Sequence, residues 1–282
     1  MSKTKDRIRE SELRYRHSLG QNFIYDDQLL RELAELSGVT RDEDVLEIGP
    51  GAGSLTKHLC DLAGHVLAVE LDERLIPLLT AFMAEKNNFT LVQGDIMTLD
   101  LADAAKDLRK PFAVVANIPY YITTPLIQRL LTCGLPISRM ALMVQKEVAE
   151  KIMSSPGDEG WGPLALRCGY LYEARVAREV PARCFTPVPK VDSAFVVMNA
   201  REAPSVRVRS EEDYFRIVSA AFAMRRKTML NNLCAVFRIS RETGAAWLSR
   251  AGADDRIRGE RMTPEQLAAV ADRLTEFREG KA

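Results

Sequence analysis

Histidine and tryptophan are scarce, with three and two in 282 residues. Cysteine is little commoner, with five thiols at positions 60, 133, 168, 184 and 234. The odd count and the lack of any Cys-x-x-Cys spacing argue against a structural zinc site and a secreted disulfide framework, so reduced core or surface thiols and no metal are expected. Neither sign of charge is in excess, since 39 Lys and Arg balance 39 Asp and Glu. That excludes a uniformly basic nucleic-acid binder, and any such activity must rest on local charge. No apolar run approaches the roughly 18 residues of a membrane helix. The first twelve residues mix Lys3, Lys5, Arg7 and Arg9 with Asp6, Glu10 and Glu12 and hold no signal-peptide core. A cytoplasmic protein without a membrane partner is expected. Repeats and low-complexity tracts are missing too. With 46% hydrophobic and 28% charged residues, the chain reads as globular rather than disordered.

What charge there is lies unevenly. Residues 1–20 carry six cations and three anions, and residues 201–282 carry sixteen and twelve. A basic arm and a basic tail thus flank an acidic body, although ordinary surface variation gives such differences as well. Between them, apolar runs alternate with helical patterns. Strands are predicted at Asp44–Ile48, His65–Glu70, Phe89–Gln93, Phe112–Asn117 and Met140–Gln145. Helices are predicted at Leu55–Leu62, Leu75–Glu85, Thr124–Leu131 and Lys146–Met153. This alternation implies an α/β fold with a parallel sheet covered on both faces. After Tyr170, prolines 181, 187 and 189 punctuate an extended stretch leading into late strands, Ser193–Met198 among them. Pro204–Arg209 reads as a linker, and residues 211–237, 240–251 and 263–278 read as helices begun by Ser210 and Thr263. The expected organisation is an arm at 1–20, an α/β domain at 21–204 and a small helical domain at 205–282.

Glu47-Ile48-Gly49-Pro50-Gly51-Ala52-Gly53 follows a strand and opens a helix. Glycines there let the chain turn sharply and let a ligand approach the backbone. The spacing is G-x-G-x-G rather than the dinucleotide G-x-G-x-x-G, and Pro50 and Pro119 are awkward for a loop wrapping a pyrophosphate. The pattern suits an adenosyl ligand without phosphate, and a merely structural turn remains the alternative. Glu70 ends the next strand, where a carboxylate can accept both ribose hydroxyls. Asp95 follows the third strand, placed to accept from an adenine amine with Ile96 against the ring. The three strand ends together point to S-adenosyl-L-methionine, with S-adenosyl-L-homocysteine as product. Upstream, Asn22 could meet the methionyl carboxylate while Phe23 and Ile24 cover the site.

The fourth strand ends in Asn117-Ile118-Pro119-Tyr120. An aromatic amine is a poor nucleophile because its lone pair is delocalised into the ring. The Asn117 side-chain oxygen and the Ile118 carbonyl can accept its two hydrogens and draw the nitrogen toward tetrahedral geometry, on a turn that Pro119 constrains. Tyr120 offers a face for a flipped-out base. Phe185 is a second stacking face or a core residue. Arg225-Arg226-Lys227 lies on a predicted helix, where consecutive cations disperse around the axis, so solvated charge and phosphate contact both stay open.

These residues resemble the ribosomal RNA adenine dimethyltransferases that modify small-subunit (16S-type) rRNA. The matching segments are Leu19–Ile24, Glu47–Leu55, Glu70, Gln93–Ile96, Asn117–Tyr120, Gln145–Glu147, Phe185–Ser193 and Arg225–Thr228. The resemblance implies a Rossmann-like class I methyltransferase domain with a small C-terminal all-helical domain. It also implies dimethylation of two adjacent adenosines in a 3′-terminal hairpin loop, within a 30S precursor, by a monomer. Carried onto this chain, it assigns cofactor contacts to Asn22, Ile24, Gly49, Glu70, Asp95 and Asn117, to which the reading of the residues themselves adds Gly51 and Ile96. Base contacts fall on Asn117, Ile118, Tyr120 and Phe185, with Pro119 constraining the catalytic turn, and the resemblance favours phosphate contact over solvated charge for Arg225, Arg226 and Lys227. Ile24 stands where leucine is common, a mild change of shape, and Tyr121 where asparagine is common, and the latter bears on the hydrogen bonding behind the amine-binding pair and on the balance of mono- and dimethylation. Two rivals are an antibiotic-resistance methyltransferase acting on large-subunit rRNA and a non-catalytic assembly or transcription factor on the same fold. The Phe185–Ser193 and Arg225–Thr228 segments favour the small-subunit class, and the intact Asn117–Tyr120 tetrapeptide argues against lost catalysis.

Overall fold

The computed structural model describes residues 22–280, so the expected arm at 1–20 lies outside the described residues. The chain divides into two compact units, one of Met1–Ala149 with Ala174–Ala200 and the other of Glu150–Glu173 with Arg201–Ala282.

In the first unit, strand β1 (Phe23–Ile24) leads into α1 (Asp27–Leu36), whose first turn is held by the Asp26 carboxylate accepting from Gln28 N at 3.0 Å and Leu29 N at 3.2 Å. The predicted strands follow as β2 (Asp44–Ile48), β3 (His65–Glu70), β4 (Phe89–Gln93), β5 (Phe112–Asn117) and β6 (Ile137–Gln145). Helices α2 (Thr56–Leu62), α3 (Ile76–Met83), α4 (Leu101–Ala104) and α5 (Thr123–Thr132) come between them, and α6 (Lys146–Met153) follows β6 and runs from the first unit into the second at Glu150. Three more strands complete the unit: β7 (Tyr172–Val180), β8 (Phe185–Thr186) and β9 (Ser193–Ala200). The main sheet runs β4-β3-β2-β5-β6-β9-β7, and β1 pairs separately with β8. From β4 to β6 every pairing is parallel, whereas β9 joins β6 antiparallel. The wholly parallel expectation therefore holds for five strands and ends at β9. The core combines Val45, Val66, Val115 and Met143 of the sheet with Leu33 of α1, Leu59 of α2 and Leu79 of α3, all buried. Each such large aliphatic side chain contributes about 1.5–3 kcal/mol.

Parallel strands carry their C-terminal ends to one edge. The register aligns Ile48 with Val69 on one side and with Ala116 on the other, so Gly49, Glu70 and Asn117 emerge together. The strand order reverses at β2, and a crevice forms at such a point.

The second unit contains α7 (Pro163–Leu171), α8 (Glu211–Ala221), α9 (Met229–Phe237), α10 (Arg241–Arg250) and α11 (Pro264–Arg278). It reaches further back in sequence than the boundary expected at 205. Trp161, Leu166 and Tyr170 are buried in one cluster with Tyr214, Leu233 and Trp247, and Tyr170 stacks on Tyr214 with centroids 5.2 Å apart. The predicted helix starts are present: the Ser210 hydroxyl accepts from Asp213 N at 3.2 Å, and Thr263 and Gln266 form a capping box. The continuous helix expected over 211–237 is instead two. Residues 222–228 form a turn that ends where the Thr228 hydroxyl accepts from Asn231 N at 3.3 Å and starts α9. Arg225, Arg226 and Lys227 are exposed on this turn and not on a helix, so the dispersal expected of a helix does not apply to them. No helix among the described residues is long and apolar enough to cross a membrane.

Candidate active site

A cavity of about 190 Å³ opens at the C-terminal edge of β2, β3 and β5. Its walls include Asn22, Ile24, Gly49, Gly51, Glu70, Asp95, Ile96, Asn117, Ile118, Pro119 and Tyr120. The structure thus brings together every predicted cofactor residue and the whole Asn117–Tyr120 turn. Phe185 lies elsewhere. It is 1% exposed in the core, paired through the backbone with Ile24, and it is not among the cavity-lining residues. The ring is buried in one core cluster with Ile24, Val180 and Phe195.

Glycine is required where the loop passes Glu70. Gly51 has φ +60°, and a Cβ there would come within 2.8 Å of the Phe23 ring. Gly49 has φ +67° with open space where a Cβ would stand. The Gly51 N–H donates to one oxygen of the Glu70 carboxylate at 3.0 Å, and the Asp72 N–H donates to the other at 2.8 Å. Burial pushes the Glu70 carboxyl above its ordinary range, and these backbone bonds offset part of the rise. Each oxygen keeps capacity for another donor, as two ribose hydroxyls would supply. Asp95 lies two residues beyond the end of β4 and accepts from Met97 N at 2.8 Å, which fixes the carboxylate beside Ile96.

Sequence reasoning gives Glu47 no role of its own. It is 2% exposed, lines the cavity, and has an oxygen without a hydrogen-bond partner among the described residues, as does the neighbouring cavity hydroxyl of Ser54. Burial drives its carboxyl up to about 8, and the charge of Glu70 adds to the rise. A sign of this is present in the sequence, since Glu47 is an acid flanked by Leu46 and Ile48 near the end of a wholly buried strand. Ser193 is a second residue that sequence reasoning misses: its hydroxyl and that of Tyr120 are hydrogen-bonded at 2.7 Å, which tethers the ring.

At the end of β5 the Asn117 side-chain NH₂ donates to the Asn22 carbonyl at 2.9 Å. That bond commits the nitrogen and leaves the amide oxygen as an acceptor. The Ile118 N–H donates to Met143 O at 3.3 Å, while the Ile118 carbonyl accepts nothing from the described residues. By contrast, the Pro119 carbonyl accepts from Ile122 N at 3.1 Å and from Thr123 Oγ1 at 3.3 Å. Two oxygens therefore remain for an incoming amine. Tyr121, 56% exposed, also lines the cavity.

The lining fits S-adenosyl-L-methionine. Three carboxyl groups and no Lys, Arg or His face the cavity. A pyrophosphate would meet repulsion there, whereas a sulfonium, an ammonium and ribose hydroxyls meet acceptors. Ile24, Leu71, Ile96 and Met97 supply the apolar surface that a purine needs.

Fold and site together define a Rossmann-like class I S-adenosylmethionine-dependent methyltransferase. The sequence profile of the ribosomal RNA adenine dimethylase family matches residues 12–276, and the chain belongs to that family. Ribosomal RNA small subunit methyltransferase A of Lactococcus lactis is 41% identical over 96% of this chain and 94% of its own length. The protein of the same name from Enterococcus faecalis is 38% identical over 97% and 95%. Among solved structures, the 23S rRNA methyltransferase ErmE superposes with TM-score 0.69 at 30% identity, covering 90% of this chain and 99% of that one. A dimethyladenosine transferase from Plasmodium falciparum shares the fold, with TM-score 0.74 at 22% identity over 92% and 98%.

Proposed function

We propose that this enzyme dimethylates the exocyclic amines of two adjacent adenosines in the 3′-terminal hairpin loop of small-subunit rRNA. The substrate is a 30S precursor particle in the cytoplasm, the protein acts as a monomer, the product is S-adenosyl-L-homocysteine, and no metal takes part. When bound, S-adenosyl-L-methionine supplies an electrophilic methyl group on a sulfonium. The residues of the chain do the rest. Asn117 Oδ1 and the Ile118 carbonyl accept the two amine hydrogens and localise the nitrogen lone pair. The half-buried Tyr120 ring offers a stacking face, and the apolar walls exclude water. No general base is needed, because the methylated ammonium loses its proton readily. In the helical unit, Arg225, Arg226 and Lys227 hold phosphates, since an exposed turn presents consecutive cations without the dispersal of a helix.

The observation that carries this reading is the pair of unclaimed oxygens on Asn117 and Ile118 beside a cavity that is acidic and free of cations. The names of the curated relatives favour the small subunit. Unmethylated 30S and 50S particles incubated in parallel with labelled cofactor test it. The expected result is label in dimethyladenosine from 30S rRNA alone; label confined to 50S, or none in adenine, overturns it.

A further inference from the structure

Away from the catalytic cavity, the helical unit has an open groove of about 520 Å³ between α7, α8 and α9. Arg167 lies partly buried in its wall with the guanidinium carbon 4.4 Å from the centre of the Phe215 ring. Several arginines of this unit have an acidic partner: Arg216 has Asp213 at 3.1 Å, Arg209 has Glu276 at 3.2 Å, and Arg273 has Glu276 at 2.6 Å. Among the described residues no carboxylate pairs with Arg167. Burial alone lowers its basicity, with no charged neighbour acting against it. A cation withdrawn from water without a counter-charge is costly, and the aromatic face offsets only part of that cost. An anion in the groove would supply the counter-charge that Arg167 lacks among the described residues.

The rest of the lining narrows its identity. Arg216 lies over Phe237 at 5.5 Å, giving the groove a second guanidinium backed by an aromatic ring. Val236, 47% exposed, adds an apolar face, and Ser219 a surface hydroxyl. An acidic peptide would satisfy the charge but leave these planar and apolar surfaces idle. A nucleotide satisfies both, with phosphate on a guanidinium and base against stacked planes and an apolar wall. Glu212, also in the lining, is 72% exposed at its side chain and shares Arg278, at 3.6 Å, with Asp213 at 2.5 Å, so its charge is only partly offset.

We propose that the Arg167–Phe215 groove is a second RNA-binding site, taking an unpaired nucleotide of the rRNA substrate with its phosphate on Arg167. The proposal rests on the rRNA methyltransferase reading and adds a contact that the Arg225–Lys227 turn does not supply. Arg167→Ala and Arg167→Lys are compared with the wild type for binding to naked small-subunit rRNA across a salt series, for KM and kcat, and for thermal unfolding. In Arg167→Ala, affinity should fall about tenfold and the slope of log K against log salt should shallow by about 0.7–0.9, the value of one neutralised phosphate, with the loss falling on KM for RNA. Arg167→Lys should restore the slope but only part of the affinity, because it keeps the charge and loses the plane. A lower unfolding temperature with affinity and slope unchanged would reduce the pair to a packing contact and overturn the proposal. A photoreactive group on Ser219→Cys should cross-link to rRNA, and cross-links confined to ribosomal proteins would also overturn it. Should the wild type transfer no methyl group to rRNA, the functional reading fails, while the cross-link and the salt slope still decide the groove.

Discussion

The Asn117 side-chain amide donates to the backbone carbonyl of Asn22 at 2.9 Å. A residue at the end of β5 is thereby oriented by the segment just before β1, and the acceptor that grips the substrate is set before substrate arrives. Asn117→Ala should lower turnover by about 10²–10³, the scale of one lost polarising group, with a much smaller change in cofactor affinity. Asn117→Asp keeps an oxygen but sets a carboxylate against the Asn22 carbonyl, and should lose turnover comparably. Single-turnover transfer of labelled methyl, read beside equilibrium cofactor binding, separates the two quantities. Wild-type turnover in Asn117→Ala would remove the assigned role.

Glu47 makes the stability of the ligand-free protein depend on pH. Its carboxyl titrates at about 8 in the fold against 4.5 when exposed. Between those values the folded state holds a proton that the unfolded state has released, so stability falls as pH rises through this window. Glu47→Gln removes the titration. It should match the wild type near pH 4.5 and exceed it above pH 8, by up to roughly 5 kcal/mol if the whole shift is expressed. Urea unfolding at stepped pH measures the gap, and parallel curves for the two proteins would refute the assignment.

Two glycines separate strain from ligand contact. Gly51 and Gly134 have φ +60° and +71°, so alanine at either is strained by about 1–2 kcal/mol. Only at Gly51 would the new methyl meet a neighbour, the Phe23 ring at 2.8 Å, because nothing lies within 4 Å at Gly134. Both variants should unfold at lower denaturant, and only Gly51→Ala should also lose cofactor affinity by an order of magnitude or more. Calorimetric titration of the two side by side checks this.

Much of this is legible in the sequence, and the exceptions have physical causes. Strands β2 to β5 are readable because each is a short apolar run closed by a polar or glycine residue, and parallel pairing then gathers Gly49, Glu70 and Asn117 without further information. The β1–β8 pair is not readable. Its two residues per strand leave no periodicity, and Ile24 and Phe185 meet only in three dimensions. Phe185 illustrates the cost, since nothing local distinguishes an aromatic awaiting a base from one packed under a strand. The turn at 222–228 escapes a sequence reading because apolar Phe222 and Met224 continue the helical rhythm with no proline or glycine to break it. Thr228, a good N-cap residue, is the available sign.

That turn yields a prediction of its own. Arg225, Arg226 and Lys227 are exposed, and Arg225 donates to the Glu159 carbonyl at 3.5 Å. Replacing all three with alanine should leave the unfolding temperature within about a degree. Affinity for small-subunit rRNA should fall, and the salt slope should shallow by about 0.7–0.9 for each phosphate that is no longer neutralised. Filter binding at several salt concentrations reads both, and an unchanged slope would place these cations outside the interface.

The pairing of Phe23 and Ile24 with Thr186 and Phe185 also sets a timetable. A nascent chain that has emerged only to about residue 150 already carries the glycine loop, Glu70 and Asn117. It lacks the strand that holds Phe23 over Gly51 and Ile24 over the cavity, and with it the support behind the Asn22 carbonyl. Ligand capture should therefore come late in translation, and a chain ending near residue 150 is expected to bind S-adenosyl-L-methionine far more weakly than the full chain in equilibrium binding.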